Sequence, residues 1–186
     1  MNLKPIIFTC LFFLGNPLFA QKFFNKAVLT AEIQLNNMVA KETNPSVIPR
    51  SLFNDGSFKS VDMYDWTSGF FAGNLWYGYE LSENNNLKQE AIKWTKALEP
   101  IKFYTENHDL GFMAYCSFGN AYRLTKETYY KDVLIEAAKS LATRYNPTVK
   151  AIKSWNDFPA ADSVNIYNFP VIIDNMMNLE LLFFAS

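Results

Sequence analysis

Three short acidic turns each lead into an apolar stretch: Asp65-Trp66-Thr67-Ser68-Gly69, His108-Asp109-Leu110-Gly111 and Ile172-Ile173-Asp174-Asn175. An Asp in such a place is ordinarily a helix cap, because its carboxylate accepts a backbone N–H and suits the positive end of the helix dipole. Two of the three have surroundings that suit proton transfer instead. Asp174 follows Val171-Ile172-Ile173 and precedes Met176-Met177, so desolvation is expected to raise its pKa toward that of a proton donor. Asp109 stands beside His108, the only histidine in 186 residues, and before an aromatic-rich stretch. The chemistry such a pair of carboxylates performs is general acid/base catalysis. His108, with no orienting partner visible, is expected to be a hydrogen-bonding neighbour of the pair. Trp66 and Trp155 fall in turns outside the amphipathic stripes, where a flat apolar face with a polar edge suits the stacking of a sugar ring.

These turns can meet only if regular elements bring them together. Periodicity predicts six helical segments of two alternating kinds. The first, third and fifth are amphipathic, with Phe24, Val28, Ala31, Leu35 and Met38, then Leu87, Ala91, Trp94 and Leu98, then Tyr130, Leu134, Ala137, Leu141 and Tyr145 on their apolar faces. The second (69–81), fourth (111–124) and sixth (175–185) are apolar on nearly every side. A helix without a polar face must be covered all round, so the alternation predicts helical hairpins with an outer layer in water and a dry inner layer. Consecutive inner helices then run the same way, and the three acidic turns share one rim. A repeat supports this: Tyr79-Glu80-Leu81 matches Tyr122-Arg123-Leu124, Leu87-Lys88 matches Tyr130-Lys131 and Leu98 matches Leu141, all 43 residues apart. Periods of that length occur in open helical solenoids and in closed rings alike. The fold class is all-α.

The chain begins with Lys4, an apolar run from Ile6 to Leu14, a break at Gly15-Asn16-Pro17, and Ala20 before Gln21. This reads as a secretory signal peptide over residues 1–20. The run is well short of the roughly 20 apolar residues a membrane-spanning helix needs, so the expected product is exported, periplasmic or secreted, with no membrane attachment after cleavage. Losing the leader removes Lys4 and no acid, which leaves 16 basic and 18 acidic residues, a net charge of −2. That balance argues against a nucleic-acid partner. Cys10 departs with the leader and leaves Cys116 alone, so no internal disulfide is expected. A single histidine without a Cys/His cluster argues against a metal centre, and no cofactor is expected.

The stretches Trp66-Thr67-Ser68-Gly69-Phe70-Phe71, His108-Asp109-Leu110-Gly111-Phe112-Met113, Ser117-Phe118-Gly119-Asn120-Ala121-Tyr122-Arg123-Leu124 and Phe169-Pro170-Val171-Ile172-Ile173-Asp174-Asn175-Met176-Met177-Asn178-Leu179-Glu180 resemble, in order, the motifs of the unsaturated glucuronyl hydrolases, glycoside hydrolase family 88. The resemblance implies an (α/α)6 toroid of six helical hairpins, with residues 21–186 an incomplete catalytic domain that holds the first three. It implies as partner an oligosaccharide left by a polysaccharide lyase, whose terminal uronate has a double bond between C4 and C5. The implied chemistry is hydration of that vinyl ether: a carboxyl group protonates C4, water adds at C5, and the hemiketal collapses with release of the next sugar. By the same resemblance Asp174 is the general acid/base, Asp109 the second carboxylate near the double bond, Trp66 a sugar contact and His108 a neighbour of the site. Trp155 is carried over as a further substrate contact, although Ser154-Trp155-Asn156 departs from the family's Ser-Trp-Asp, and Tyr167 stands where an aromatic, often Trp, is expected.

Family members are about twice as long, as six hairpins require against three. The chain is therefore expected to be an amino-terminal fragment, inactive alone, whose exposed inner helices invite self-association. Two other readings stay open. An unsaturated rhamnogalacturonyl hydrolase shares the toroid and the chemistry. A non-catalytic helical-repeat binding protein would leave Asp109 and Asp174 exposed and turned apart.

Overall fold

Residues 17–161 and 164–186 are described by the computed structural model; the expected leader lies, through residue 16, outside them. All six helical segments read from periodicity form: α1 (Pro17–Lys41), α2 (Ser68–Ser82), α3 (Asn85–Ala97), the pair α4 (Leu110–Ala114) and α5 (Asn120–Thr125), α6 (Thr128–Ala142) and α7 (Asn175–Ala185). A π turn over Tyr115–Gly119 joins α4 to α5. The fifth segment stops at Ala142 and does not reach Tyr145, which is exposed and begins a short strand.

The two inner-to-outer turns use one device. Glu83 after α2 (φ 57°) and Lys126 after α5 (φ 60°) adopt the left-handed conformation, and their N–H groups donate to the carbonyls of Tyr79 and Tyr122. This satisfies carbonyls that a helix end leaves unpaired, at a cost of about 1–2 kcal/mol for a residue with a Cβ. Both members of each pair are 43 residues apart, so the repeat extends to backbone capping. Glu80 and Arg123, also equivalent, form a two-pronged ion pair at 2.6 and 2.7 Å. Asn84 opens α3 by accepting from the N–H groups of Asn86 and Leu87.

The faces expected of α3 and α6 are buried: Leu87, Ala91, Trp94 and Leu98 on the first, Tyr130, Leu134, Ala137 and Leu141 at its equivalent positions. They close on Leu75, Trp76, Leu110, Met113 and Phe118 of the inner helices. The Trp76 indole donates to Thr95 Oγ1 at 2.9 Å, so its N–H is not left unpaired in the apolar interior.

Inner helices touch backbone to backbone. A Cβ placed on Gly69 falls 2.2 Å from the Met113 carbonyl oxygen, one on Gly73 falls 2.7 Å from that of Cys116, and one on Gly111 falls 2.6 Å from Asn178 Cα. Positions 69 and 73 meet 113 and 116 in ascending order, so α2 and α4 run the same way, and the start of α4 meets the start of α7. The three acidic turns therefore lie at one end of the inner layer, as the hairpin pattern predicts.

Burial of the apolar surface is partial. The face of α1 is covered only toward its end, where Leu35, Met38 and Val39 join the core, while Phe23, Phe24, Leu29 and Ile33 are exposed. On α7 the buried residues are Asn175, Asn178 and Leu181, and Met176, Met177 and Phe183 are exposed. The all-round covering expected for that helix is not present among the described residues. None of their helices is long and apolar enough to cross a membrane.

The linkers hold three antiparallel ribbons that periodicity does not foresee: β1 (Ile48–Leu52) with β2 (Phe58–Val61), β3 (Tyr145–Asn146) with β4 (Ala151–Ile152), and β5 (Phe158–Pro159) with β6 (Ile166–Tyr167). The first carries a legible signal in Asp55-Gly56. Gly56 sits at φ 81°, and Asp55 Oδ1 accepts from both the N–H and the hydroxyl of Ser57.

The glycine contacts can be weighed directly. Gly69→Ala drives a Cβ into a carbonyl and should destabilise by about 3 kcal/mol or more. Gly119→Ala meets only the Tyr115 ring at 3.1 Å and should cost less than half of that in urea unfolding. Equal losses for the two variants would contradict the close backbone packing.

Candidate active site

Asp109 and Asp174 each stand just before a helix, yet neither carboxylate caps it. The local-turn explanation holds only for Asp65, whose Oδ1 accepts from the N–H and hydroxyl of Thr67 at 2.9 and 2.5 Å. The other two carboxylates turn toward His108. Its ring is fully buried, and Nε2 lies 3.4 Å from Asp109 Oδ1 and 3.6 Å from Asp174 Oδ1. These are charge-pair distances without a completed hydrogen bond: both ring nitrogens and Asp174 Oδ1 are shielded from solvent and lack a hydrogen-bond partner. Such atoms are rare in folded proteins because leaving them unsatisfied is costly.

The turns are held in register by residues that carry no chemistry of their own. His108 N–H donates to the Ser154 carbonyl at 2.9 Å, Ser154 N–H to the Pro170 carbonyl at 2.8 Å, and Ile172 N–H to Ser154 Oγ at 3.0 Å. Fully buried Ser154 thus fastens the turn bearing Asp109 to the turn bearing Asp174. Asn175 Nδ2 donates to the Ile152 carbonyl at 2.6 Å, and Asn178 Oδ1 accepts from Phe112 N–H at 2.8 Å, which ties α7 to α4. Arg144, also buried, donates to the carbonyls of Thr105 and Lys153. Sequence reasoning missed these residues, since Ser, Asn and Arg ordinarily signal surface. The available sign was the position of Ser154, Asn175 and Asn178 inside the quoted motif stretches.

Burial divides the pair. Asp109 is 8% exposed, and its carboxyl pKa is raised, first by that burial and further by the charges of Asp174 and Asp65, against the lowering effects of His108 and a hydrogen bond from Asn178. Asp174 is open, with 44% of its side chain exposed. The desolvation expected at Asp174 is therefore found at Asp109 instead. Its apolar neighbours do not cover it: Val171, Ile173, Met176 and Met177 all face outward.

Aromatic rings flank these groups. Trp155 meets His108 edge-on at 6.0 Å and continues through Phe158 at 6.2 Å to Tyr167 at a further 5.2 Å. Trp66 is 43% exposed and packs on Phe70 and Phe112 at 5.7 and 6.3 Å. His108, Asp109, Asp174 and Trp155 are thus brought into direct proximity, and Trp66 joins them through Phe112 and the turn of Asp65. The ligand atoms of His108, Asp109 and Asp174 lie within 4.8 Å of one another, so a cation could also be held there, a possibility that residue counting along the chain did not reveal.

No protein-family model matches the chain. The unsaturated glucuronyl hydrolase of Formosa agariphila is 54% identical over 127 residues, which are 68% of this chain and 30% of that protein. A solved unsaturated glucuronyl hydrolase specific for heparin superposes with a TM-score of 0.80 at 46% identity, over 88% of this chain and 42% of its own. The chain belongs to the unsaturated glucuronyl hydrolases. These are glycosidases, and the hairpins described above are a part of their helical fold. An aspartate-to-asparagine variant of the Streptococcus agalactiae unsaturated glucuronyl hydrolase, complexed with dGlcA-GalNAc6S, matches with a TM-score of 0.66 at 25% identity, over 87% of this chain and 37% of its own. The chain spans less than half the length of each of these relatives.

The buried carboxyl has a consequence for stability. A pKa raised on folding contributes stability that is complete below about pH 4, where the carboxyl is protonated in both states, and that is lost as pH rises through the folded value. Ionised Asp109 is thus a cost to the fold at neutral pH. Asp109→Asn should raise the thermal midpoint at pH 7 and change it little near pH 3.5. A lowered midpoint at pH 7 would show that the carboxylate is stabilised where it lies.

Proposed function

We propose that this chain supplies the acid/base part of an unsaturated glucuronyl hydrolase site for oligosaccharides that end in a C4=C5 unsaturated uronate. The observation that carries the reading is one solvent-shielded histidine with two carboxylates of unequal exposure at 3.4 and 3.6 Å. Asp174 presents the carboxyl group a substrate can touch and donates its proton to C4. Water adds its oxygen to C5 and returns a proton to the vacated carboxylate. The resulting hemiketal opens between C5 and the ring oxygen, and the hemiacetal left at C1 releases the next sugar. Asp109 keeps its proton to higher pH and is the second carboxyl of the pair, across His108. Trp66 and Trp155 offer stacking faces. In ordinary glycoside hydrolysis the carboxylates flank the anomeric carbon instead.

The unsaturated disaccharide on the Streptococcus agalactiae relative supports a carbohydrate partner, and the names of the relatives favour a glucuronyl over a rhamnogalacturonyl substrate. A purely binding role calls for exposed aspartates turned apart, whereas Asp109 is buried and both approach His108. The leader read in residues 1–20 supports export to the periplasm or medium. The exposed apolar residues of α1 and α7 support the reading that the 186 residues alone are inactive and self-associate through those faces.

The test is a chimera in which this chain replaces the segment it matches in the Formosa agariphila relative. The chimera should remove the ultraviolet absorbance of unsaturated uronyl disaccharides, and Asp174→Asn or Asp109→Asn should each slow it by about 100-fold or more. Activity retained within twofold in the Asp174→Asn chimera would remove Asp174 from the proposed role.

A further inference from the structure

We infer that Arg50 recognises an anionic oxygen group, carboxylate or sulfate, on the sugar that lies against Trp66; this deepens the proposed function and rests on it. In the β1–β2 ribbon Pro49 pairs with Ser60 and Ser51 with Lys59, so Arg50 is the extra residue of a β-bulge. A bulge leaves its extra residue outside the ladder and re-aims the side chain, and bulges concentrate beside active sites. The side chain is aimed at the acidic rim. Its Cζ lies 5.8 Å from the centre of the Trp66 ring, the ring offered as a stacking face.

The guanidinium is engaged only lightly. One nitrogen, Nη1, reaches Asp65 Oδ2 at 3.2 Å, and the side chain is 38% exposed. This differs from Arg123, which grips Glu80 with two nitrogens at 2.6 and 2.7 Å. A guanidinium has five N–H donors in a planar fork that matches carboxylate and sulfate oxygens, and among the described residues the other donors of Arg50 have no partner. Asp65 is held independently by Thr67, so it need not follow if Arg50 turns to a ligand.

Charge makes such a residue necessary. The electrostatic neighbours of Asp109 are Asp174 and Asp65 against His108, and those of nearby Tyr104 are Glu106, Asp109 and Asp62 against the buried Arg144, so carboxylates outnumber cations at the rim while the proposed substrate is itself an anion. Like charges repel across a site unless a cation intervenes. Among the described residues Arg50 is the cation that contacts both the stacking tryptophan and a rim carboxylate. From Arg50 an open groove of about 470 Å³ continues between α1 and the ribbon past Asn37 and Lys41, a size within the range of small-ligand clefts. Lys41 adds a second positive charge along that path.

The test is calorimetric and ligand-observed NMR titration of the chimera described above, carrying Asp174→Asn to block turnover, with two unsaturated uronyl disaccharides, one unsulfated and one sulfated, at low and high salt. Arg50→Ala should weaken binding about tenfold and remove most of the salt dependence seen with the chimera that keeps Arg50. Arg50→Lys, which keeps the charge and loses the fork, should restore the salt dependence but only part of the affinity. A loss on both sugars assigns the uronate carboxylate, and a loss confined to the sulfated sugar assigns the sulfate. Unchanged affinity and salt dependence in Arg50→Ala, with Trp66→Ala weakening both sugars, overturns the inference and leaves the proposed function standing. No binding of either sugar by the chimera that keeps Arg50 overturns both.

Discussion

The close backbone approach of the inner helices at Gly69, Gly73 and Gly111 is the constraint on which the remaining structure depends. Side chains of ordinary size would hold these helices apart; without them α2 meets the carbonyls of Met113 and Cys116, and α4 meets Asn178 at the start of α7. Helices so close and so aligned must bring their first turns together. The Glu80–Arg123 pair fixes the opposite ends, and left-handed caps at Glu83 and Lys126 return the chain to an outer layer in the same way twice. The π turn over Tyr115–Gly119 falls at this crossing.

What the alignment produces is a corner that the fold would avoid on stability grounds alone. A buried imidazole without hydrogen-bond partners among the described residues, a buried carboxyl and a second carboxyl oxygen shielded from water are kept together by a frame of hydrogen bonds. Ser154 joins the two turns, and Asn178 and Asn175 tie α7 to its neighbours. Buried polar groups left without partners persist only where the surroundings hold them, and desolvated titratable groups cluster at functional sites. The asymmetry is equally informative. One carboxyl is covered, which raises its pKa, and the other is open to a ligand; unequal environments for two carboxyl groups are how acid and base roles are divided.

Much of this was legible because helices repeat every 3.6 residues and the apolar faces of α3 and α6 are complete. The 43-residue repeat aligned Glu80 with Arg123 without foreseeing that the two form an ion pair, and the turn assigned to Trp155 gave no sign that it meets His108. The failures share a physical origin. Periodicity reports which face of an element is apolar, but not what covers it, so Asp174 was expected to be desolvated by Val171, Ile173 and Met176, which face outward. The six helices were visible, whereas strands of two to five residues carry too few alternations to be read. Asp55-Gly56 marks the first ribbon, but nothing local marks Arg50 as its bulge. The bridging role of Ser154 is not legible for another reason: its partners, His108 and Pro170, are distant in sequence, and a buried serine has the same letter as an exposed one.

The site, the family and the proposed chemistry meet in a single claim, that the charge of Asp174 bears on the ionisation of buried Asp109 beside His108. Carbon-detected NMR of the side-chain carboxyl groups, followed through a pH titration of the purified chain, measures this most directly. The Asp109 carboxyl should titrate above the ordinary aspartate range, and Asp174→Asn, which removes a neighbouring negative charge, should move that titration back down. An Asp109 that titrates in the ordinary range and does not respond to Asp174→Asn would contradict the account.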